Sequence, residues 1–176
     1  MLKGTLGMAL VYGGGKLEEK PCILGFTYAD FAADIDKRRS STSYIFQLWG
    51  SSISWKTNLQ SVVALSITKA EYIVVTEAIK EGLWLKGIIS ELLRIDVKVR
   101  LMCDSQSAIH LAKNPSHHER TKHIDVRYHF IREILEKEEI SLIKVVEEEN
   151  AADMFTKAIP MSKLHHCLSI LNVFCV

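Results

Sequence analysis

The chain has 176 residues, of which 48% are hydrophobic and 24% are charged, and its formal net charge is +1. This length and composition are typical of one globular domain and exclude an intrinsically disordered chain, and no apolar run approaches the roughly 18 residues of a membrane-spanning helix. A charge this close to zero also excludes a uniformly basic protein, so binding to nucleic acid would need a local basic segment.

The four cysteines are scattered along the chain, with no CxxC pair and no spacing typical of a zinc finger. This pattern favours free thiols over disulfides or a structural metal. The first residues lack the charged, apolar and small-residue succession of a signal peptide, so we expect a reducing compartment.

The first predicted elements are three strands. A glycine run at 13–15 and polar residues at 16–20 separate a leading segment, residues 1–20, from a domain that we expect to span residues 21–160. Residues 23–27, 43–48 and 52–56 are rich in aromatic and β-branched side chains, and the last two segments flank a turn at Gly50 and Ser51. This pattern predicts three antiparallel strands that include a hairpin.

Helices and strands alternate in the rest of the chain. Apolar residues recur at helical spacing over residues 68–92, which predicts a long helix. Further along we predict a strand at 98–104, helices at 105–113 and 124–135, a strand at 140–146 and a helix at 151–158, with residues 161–176 as a C-terminal tail. This order predicts an α/β fold in which helices flank a central mixed sheet.

Three acids fall at the ends of predicted elements: Asp104 ends a strand, Glu71 lies near the start of the long helix, and Asp153 lies near the start of the last helix. Carboxylates that met at one edge of the sheet could bind divalent cations. Each acid also has a structural alternative, because Asp104 could cap the next helix, Thr68 and Glu71 match a capping box, and Asp153 suits a helix dipole. The residues alone leave both interpretations open.

A basic segment, residues 113–132, is the candidate nucleic-acid-binding region. Its binding residues would be Lys113, Arg120, Lys122, His123 and Arg127, and it is followed by a strongly acidic stretch at 133–149. The segment could bind phosphates, which would make binding steeply salt-dependent, or it could be a solvated helix face and loop. Its histidines lack a cysteine or carboxylate at a familiar spacing, which disfavours a zinc site.

Four blocks of sequence carry a family resemblance. They are SWK at 54–56 with QSVVALS at 60–66 and AEY at 70–72; CDSQSAI at 103–109; KNP at 113–115 with RTKHID at 120–125 and RYHFIRE at 127–133; and AD at 152–153 with TK at 156–157. Together these blocks resemble the RNase H domain at the C-terminal end of copia-type retrotransposon Pol polyproteins. The leading residues are similar to the connection that follows the reverse transcriptase in that family.

The resemblance implies an RNase H-like fold, with a five-stranded mixed sheet flanked by helices. It implies two-metal cleavage of the RNA strand in RNA/DNA hybrids, with Mg²⁺ as the cation, Mn²⁺ as an alternative, and Glu71, Asp104 and Asp153 as the catalytic, metal-binding carboxylates. The expected partners are an RNA/DNA hybrid and the reverse transcriptase domain of the same polyprotein, with no membrane. The expected location is intracellular, either cytoplasmic in a virus-like particle or nuclear.

The first strand departs from the family at a catalytic position. The family has Asp-Ala-Asp there, with the leading Asp as the bridging metal ligand, whereas this chain has Tyr28, Ala29 and Asp30. A neutral phenol supplies neither the charge nor the bridging oxygens of a carboxylate. Asp30 is the candidate compensating acid, but it is displaced by about 6 to 7 Å along the strand. We therefore predict a ribonuclease H by descent that has lost most of its activity.

Two alternatives remain open. The chain could be a non-catalytic module that binds a hybrid or duplex through residues 113–132, or a degraded relic of the element that folds poorly. Binding without Mg²⁺-dependent turnover would favour the first alternative, and weak thermal cooperativity would favour the second.

Overall fold

The computed structural model describes residues 8–10, 12, 21–113 and 122–175. Two short 3₁₀ helices, Glu147–Glu149 and Ala151–Phe155, lie between the strand that ends at Lys144 and the helix that begins at Met161. The other elements, in chain order, are β1 (Met8–Leu10), β2 (Cys22–Asp34), β3 (Arg39–Leu48), β4 (Ser51–Leu59), α1 (Ile67–Leu93), β5 (Lys98–Cys103), α2 (Gln106–Lys113), α3 (Lys122–Glu136), β6 (Ser141–Lys144), α4 (Met161–Ile170) and β7 (Val173–Cys175). Within this part of the chain, no helix has both the length and the apolar character needed to cross a bilayer.

Five strands form one mixed sheet in the order β4-β3-β2-β5-β6. The neighbours β4, β3 and β2 are antiparallel, whereas β2 pairs in parallel with β5, and β5 pairs in parallel with β6. The predicted five-stranded mixed sheet flanked by helices is therefore confirmed. Because β2, β5 and β6 run in the same direction, their C-terminal ends lie at one edge, where sites in α/β sheets commonly form.

Apolar layers cover both faces of this sheet. The first layer joins the sheet to α1, and its buried members include Ile23, Phe46, Leu101 and Ile79. The second layer lies on the opposite face and joins the sheet to the C-terminal part of the chain through Phe26, Ile45, Ala151, Ala152 and Leu171. Alternation of side chains along the strands produces this division, since successive residues point to opposite faces.

Gly25 leaves room on the central strand for core side chains from both neighbouring strands. A Cβ atom at this position would lie 2.4 Å from Cε1 of Phe46 and 2.8 Å from Cδ1 of Leu101. Both of these side chains are fully buried, so a larger residue would force the core to shift. The core therefore requires glycine at this position of β2, where the side chains of Phe46 and Leu101 come together.

The first strand of the main sheet is longer than predicted. We predicted an end at residue 27, but β2 continues to Asp34, with an irregular register between Asp30 and Asp34. Ala32 has a φ of 53° within this irregular part, and its N–H donates to Ser40 Oγ at 3.2 Å. The hydrogen bond satisfies the backbone where the regular ladder is interrupted.

The C-terminal part differs from the prediction in two ways. The expected helix at 151–158 is a 3₁₀ helix, Ala151–Phe155, and the expected tail at 161–176 contains α4 and β7. Cys167 and Leu171 are buried against the rest of the fold, which supplies the stability that the local pattern does not indicate. In addition, β7 pairs antiparallel with β1, so a strand pair joins the predicted leading segment to the predicted tail. The domain boundaries at 20/21 and 160/161 stay a prediction.

Candidate functional site

Glu71 extends from the start of α1 to the backbone of β2. Ser66 caps this helix, because the Lys69 N–H donates to Ser66 Oγ at 3.2 Å, so the capping-box interpretation of Thr68 and Glu71 is wrong. Instead, the Ala29 N–H donates to Glu71 Oε1 at 3.0 Å, and the Glu71 side chain is buried. The cap is satisfied by another residue, which leaves Glu71 available for chemistry.

Asp104 directly follows β5 at the same edge of the sheet. The Ala108 N–H donates to Ser105 Oγ at 3.2 Å, so Ser105 supplies the side-chain cap of α2 in place of Asp104. Burial raises the pKa of the Asp104 carboxyl group, and the Asn150 side chain acts to lower it. Lys144 Nζ donates to the Asp104 backbone carbonyl. This contact holds the Asp104 backbone in place beside the sheet.

Glu71 and Asp104 meet beside the thiol of Cys103. One potential ligand atom from each of these three residues lies within 4.8 Å of the other two. Oε2 of Glu71 is buried and has no hydrogen-bond partner among the described residues. Burying a charged carboxylate oxygen next to a second carboxylate lowers the stability of the fold unless a proton or a cation neutralises the charge.

The electrostatics of this group indicate which atoms fit a cation. Burial raises the pKa of Glu71 to about 8, and the charge of Asp104 acts in the same direction, against the Ala29 hydrogen bond and the charge of Lys144. Burial also raises the pKa of the Cys103 thiol to about 12, so this group is protonated at neutral pH. The hard carboxylate oxygens of Glu71 and Asp104 therefore fit a cation such as Mg²⁺, whereas the neutral thiol does not.

Asp153 lies in a different environment, among lysines. It belongs to the 3₁₀ helix Ala151–Phe155, which packs on the face of the sheet opposite to α1. Its carboxylate is fully buried, with Lys157 Nζ 2.8 Å from Oδ1 and Lys163 Nζ paired with Oδ2. Burial opposes ionisation of Asp153, but hydrogen bonds and positive charge from Lys157 and Lys163 outweigh it and lower the pKa below its ordinary value.

The structure thus brings together two of the three predicted metal ligands. Within the described part of the chain, the compact group of potential ligands contains Glu71 and Asp104 but not Asp153. Along the chain, Asp104 follows β5 and Asp153 follows β6, whereas Glu71 lies in α1, which follows β4.

A comparison by sequence finds relatives among transposon proteins. The retrovirus-related Pol polyprotein from transposon TNT 1-94 of Nicotiana tabacum is 48% identical over 172 residues, which cover 98% of this chain and 13% of that polyprotein. The corresponding polyprotein from transposon RE1 of Arabidopsis thaliana is 32% identical over 149 residues, which cover 84% of this chain and 10% of the polyprotein. The chain therefore spans only 10 to 13% of the length of these curated relatives. No protein-family model matches the chain.

A comparison by structure decides the fold. LC11-RNase H1 in complex with an RNA/DNA hybrid matches with a TM-score of 0.53 and 14% identity, over 77% of this chain and 92% of that chain. This chain has an RNase H-like fold. It is an RNase H-like domain whose homologues are retrovirus-related Pol polyproteins from transposons.

Tyr28 of this RNase H-like domain contacts Lys157, one of the two lysines that pair with Asp153. It lies on β2 immediately before Ala29, whose N–H holds Glu71. Lys157 Nζ donates to the Tyr28 phenol oxygen at 2.8 Å and lies 4.9 Å from the centre of its ring. Burial raises the pKa of Tyr28, although the Lys157 hydrogen bond acts against it, so the phenol is neutral near pH 7. The tyrosine is thus a neutral partner of Lys157 at the edge of the site.

The other predicted site residues have separate outcomes. Asp30 pairs in register with Ser41 on β3 and does not belong to the ligand group found among the described residues. Lys113 is exposed at the end of α2. The described residues do not include Arg120, and they do not cover the side chains of Lys122, His123 and Arg127. Nucleic-acid binding by these residues stays a prediction.

Sequence reasoning assigned no role to Asn150, Lys157 or Lys163. Asn150 is fully buried, its side chain donates to the Thr27 carbonyl at 2.8 Å, and it accepts from the Ala152 N–H at 3.2 Å. It also acts to lower the pKa of Asp104. The i,i+4 spacing of Asp153 and Lys157 was a detectable signal for their ion pair. Lys163 has no such signal, because it follows Pro160 in a segment that was predicted to be a tail.

Proposed function

We propose that this chain is the RNase H domain at the C-terminal end of a copia-type retrotransposon Pol polyprotein, and that its site cleaves the RNA strand of RNA/DNA hybrids with a divalent cation. We further propose that Tyr28 removes most of this activity. The reverse transcriptase of the same polyprotein would be the natural partner, and the expected location is the cytoplasm, in virus-like particles, or the nucleus.

The observation that carries this proposal is the pairing of Glu71 with Asp104. Glu71 has a buried oxygen with no hydrogen-bond partner among the described residues, and it faces a second acid at the edge of the sheet. The capping alternatives for both residues fail, because Ser66 and Ser105 supply the caps. A cation site is the function that accounts for two acids held together without a structural task.

The protein residues would position the acids, and a bound Mg²⁺ would supply Lewis-acid stabilisation and an activated water. The Ala29 N–H fixes one oxygen of Glu71 and leaves the other directed at the cation site. Asn150 would favour the ionised form of Asp104, since its side chain acts to lower the pKa of that carboxyl group, and Asp104 directly follows β5 and lies close to Glu71. Such outer contacts typically change metal affinity or activity by about 10 to 100-fold when they are removed.

Position 28 determines how much of the ancestral chemistry survives. A phenol that is neutral near pH 7 cannot offset the repulsion between two divalent cations as a bridging carboxylate does. Asp30 is two residues further along β2 and pairs opposite Ser41, so it does not take the place of the missing carboxylate.

A fluorescent hybrid-cleavage assay tests the proposal. The purified chain would be compared with Tyr28→Asp, Asp104→Asn and the double variant in Mg²⁺. We expect Tyr28→Asp to cleave at least about 100-fold faster than the unmodified chain, and Asp104→Asn to remove that gain, since even outer-shell losses cost 10 to 100-fold. Circular dichroism and thermal melting would check that each variant folds.

Two outcomes would contradict the proposal. If the unmodified chain cleaved as fast as Tyr28→Asp, the tyrosine would not be the defect. If folded Tyr28→Asp bound hybrid but stayed inert with either Mg²⁺ or Mn²⁺, the nuclease function would be rejected.

A non-catalytic binding module is the second candidate, and one observation favours it. Asp153, an acid that the nuclease would use, forms ion pairs with Lys157 and Lys163. In this function the chain would bind a hybrid through its basic residues without cutting it. Three results together would support this function: hybrid affinity that falls steeply with salt, affinity that does not depend on Mg²⁺, and no cleavage by the unmodified chain or by Tyr28→Asp.

A further inference from the structure

The ammonium group of Lys157 lies between position 28 and Asp153. Its Nζ atom is 2.8 Å from the Tyr28 phenol oxygen and 2.8 Å from Asp153 Oδ1. It also lies 4.9 Å from the centre of the Tyr28 ring and 3.9 Å from Glu147 Oε1. The tyrosine thus holds this cation in two ways, by accepting a hydrogen bond and by presenting its ring.

The negative charge of Asp153 is already neutralised without a metal. One buried carboxylate pairs with two ammonium groups, because Lys163 occupies its second oxygen. The neighbouring phenol adds no negative charge near pH 7. A divalent cation placed here would face two positive charges and one engaged carboxylate, so the donor set does not fit it.

The contrast with Glu71 and Asp104 is direct. Glu71 Oε2 and Asp153 Oδ1 are both buried without a hydrogen-bond partner among the described residues. Glu71 faces a second acid, whereas each oxygen of Asp153 lies within ion-pair distance of a lysine. Two-metal sites place their cations about 4 Å apart and need carboxylates that serve both. The described residues provide such carboxylates for one cation only.

We infer that Lys157 acts as a built-in cation that occupies the space between residue 28 and Asp153, so that this chain binds one divalent cation where a two-metal nuclease binds a pair. The inference rests on the proposed function in one respect, since it takes Glu71 and Asp104 as the site of that single cation. Tyr28 then has an active role, because it holds the ammonium group in addition to lacking a carboxylate.

Manganese pairs give a readout that does not depend on cleavage. Two Mn²⁺ ions about 4 Å apart are magnetically coupled, and electron paramagnetic resonance distinguishes them from single ions bound to the protein or to nucleic acid. The spectra would be recorded for the free chain and for the chain with a hybrid whose RNA strand is 2′-O-methylated to prevent cleavage.

Four chains make the test specific. They are the unmodified chain, Tyr28→Phe, Tyr28→Asp and the double variant Tyr28→Asp with Lys157→Met. Lys137→Met is the matched control, because Lys137 is an exposed lysine whose ion pair among the described residues is with the exposed Glu133. Asp104→Asn reports whether the single ion sits at the proposed site, and thermal melting confirms folding.

We expect a single uncoupled Mn²⁺ in the unmodified chain, in Tyr28→Phe and in Lys137→Met, and none at this site in Asp104→Asn. The double variant should show the coupled pair, and Tyr28→Asp alone should need about tenfold more Mn²⁺ to show it, since Lys157 still competes through a charge-assisted contact. If the variants that carry Tyr28→Asp prove unstable, Tyr28→Asn with Lys157→Met replaces the double variant. The amide of asparagine offers an oxygen ligand without the added charge.

The outcomes separate this inference from the proposed function. A coupled pair in the unmodified chain, or a single ion in the folded double variant, would overturn the role of Lys157 and leave the nuclease proposal standing. Absence of any Mn²⁺ that depends on Asp104 would overturn the proposed site, and the inference with it.

Discussion

The two acidic parts of the site differ in how their negative charge is neutralised. Glu71 and Asp104 lie beside each other with Lys144 as the positive group that acts on both, whereas the Asp153 carboxylate forms ion pairs with Lys157 and Lys163. The pKa of Glu71 is raised, and that of Asp153 is lowered. The comparison shows that carboxylates of one fold can differ in kind, since the charge of Asp153 is neutralised by lysines, whereas Glu71 and Asp104 form a group of acids that could hold a cation.

The largest expected effect is a pH dependence of stability that comes from Glu71. Its folded-state pKa of about 8 lies above the usual 4.5, so the folded chain binds more protons than the unfolded chain between these values. The contribution of Glu71 to the free energy of unfolding is therefore full below about pH 4.5 and is lost as the pH rises towards 8, at up to about 1.4 kcal/mol per pH unit.

Urea denaturation between about pH 5 and 8.5, without divalent metal, measures this dependence. Glu71→Gln is the control, because the difference between the two chains isolates Glu71 from the histidines that titrate in the same range. Addition of Mg²⁺ should flatten the curve of the unmodified chain by favouring ionised Glu71. Identical pH profiles for the two chains would show that Glu71 does not hold a proton in the folded state.

The Asp153 part should respond to loss of a lysine instead. In Lys163→Met, the buried carboxylate keeps Lys157 but loses its second ammonium partner, so we expect a loss of about 1.5 to 3 kcal/mol in the free energy of unfolding at pH 7. Chemical denaturation measures it. Lys137→Met, which breaks an exposed ion pair with Glu133, should leave stability unchanged. Equal effects of the two changes would contradict the buried ion pair.

The smallest expected effect is the loss of stability when the cap of α1 is removed without a change at the acids. Ser66→Ala removes the side-chain acceptor for the Lys69 N–H and should cost about 1 kcal/mol of stability, while Mn²⁺ affinity stays the same. Thr68→Ala is the matched control, because the structure gives Thr68 no capping bond, and its stability should not change. A larger loss in Thr68→Ala than in Ser66→Ala would restore the capping box that the structure rejects.

The sequence predicted the order of the main strands and helices because their signals are local. The apolar periodicity of α1 and the aromatic strands β3 and β4 are strong patterns, and the observed bounds lie close to the predicted ones. The positions of Glu71 and Asp104 at element ends also followed from local signals. That neither acid caps a helix did not follow from local signals, since it depends on the side chains of Ser66 and Ser105 making the capping hydrogen bonds.

The parts that the sequence could not predict depend on contacts between distant residues. Helix α4 is held by burial of Cys167 and Leu171, and β7 is held by pairing with β1, so neither has a strong pattern of its own. The engagement of Asp153 by Lys163 needs a turn at Pro160 and docking of α4, which local propensity does not indicate. The departure at Tyr28 was visible in the sequence, but its contact with Lys157 was not.

The pairing of β1 with β7 has a practical consequence for recombinant work on this protein. A shortened fragment that stopped at Pro160 would lose the partner of β1 and the buried side chains of Cys167 and Leu171, and would uncover apolar surface around Phe26 and Ile45. Gln47, which donates to the Ile170 carbonyl at 3.0 Å, would lose that acceptor as well. Expression trials should therefore keep residues 8 to 175 together, because trimming either end would favour aggregation.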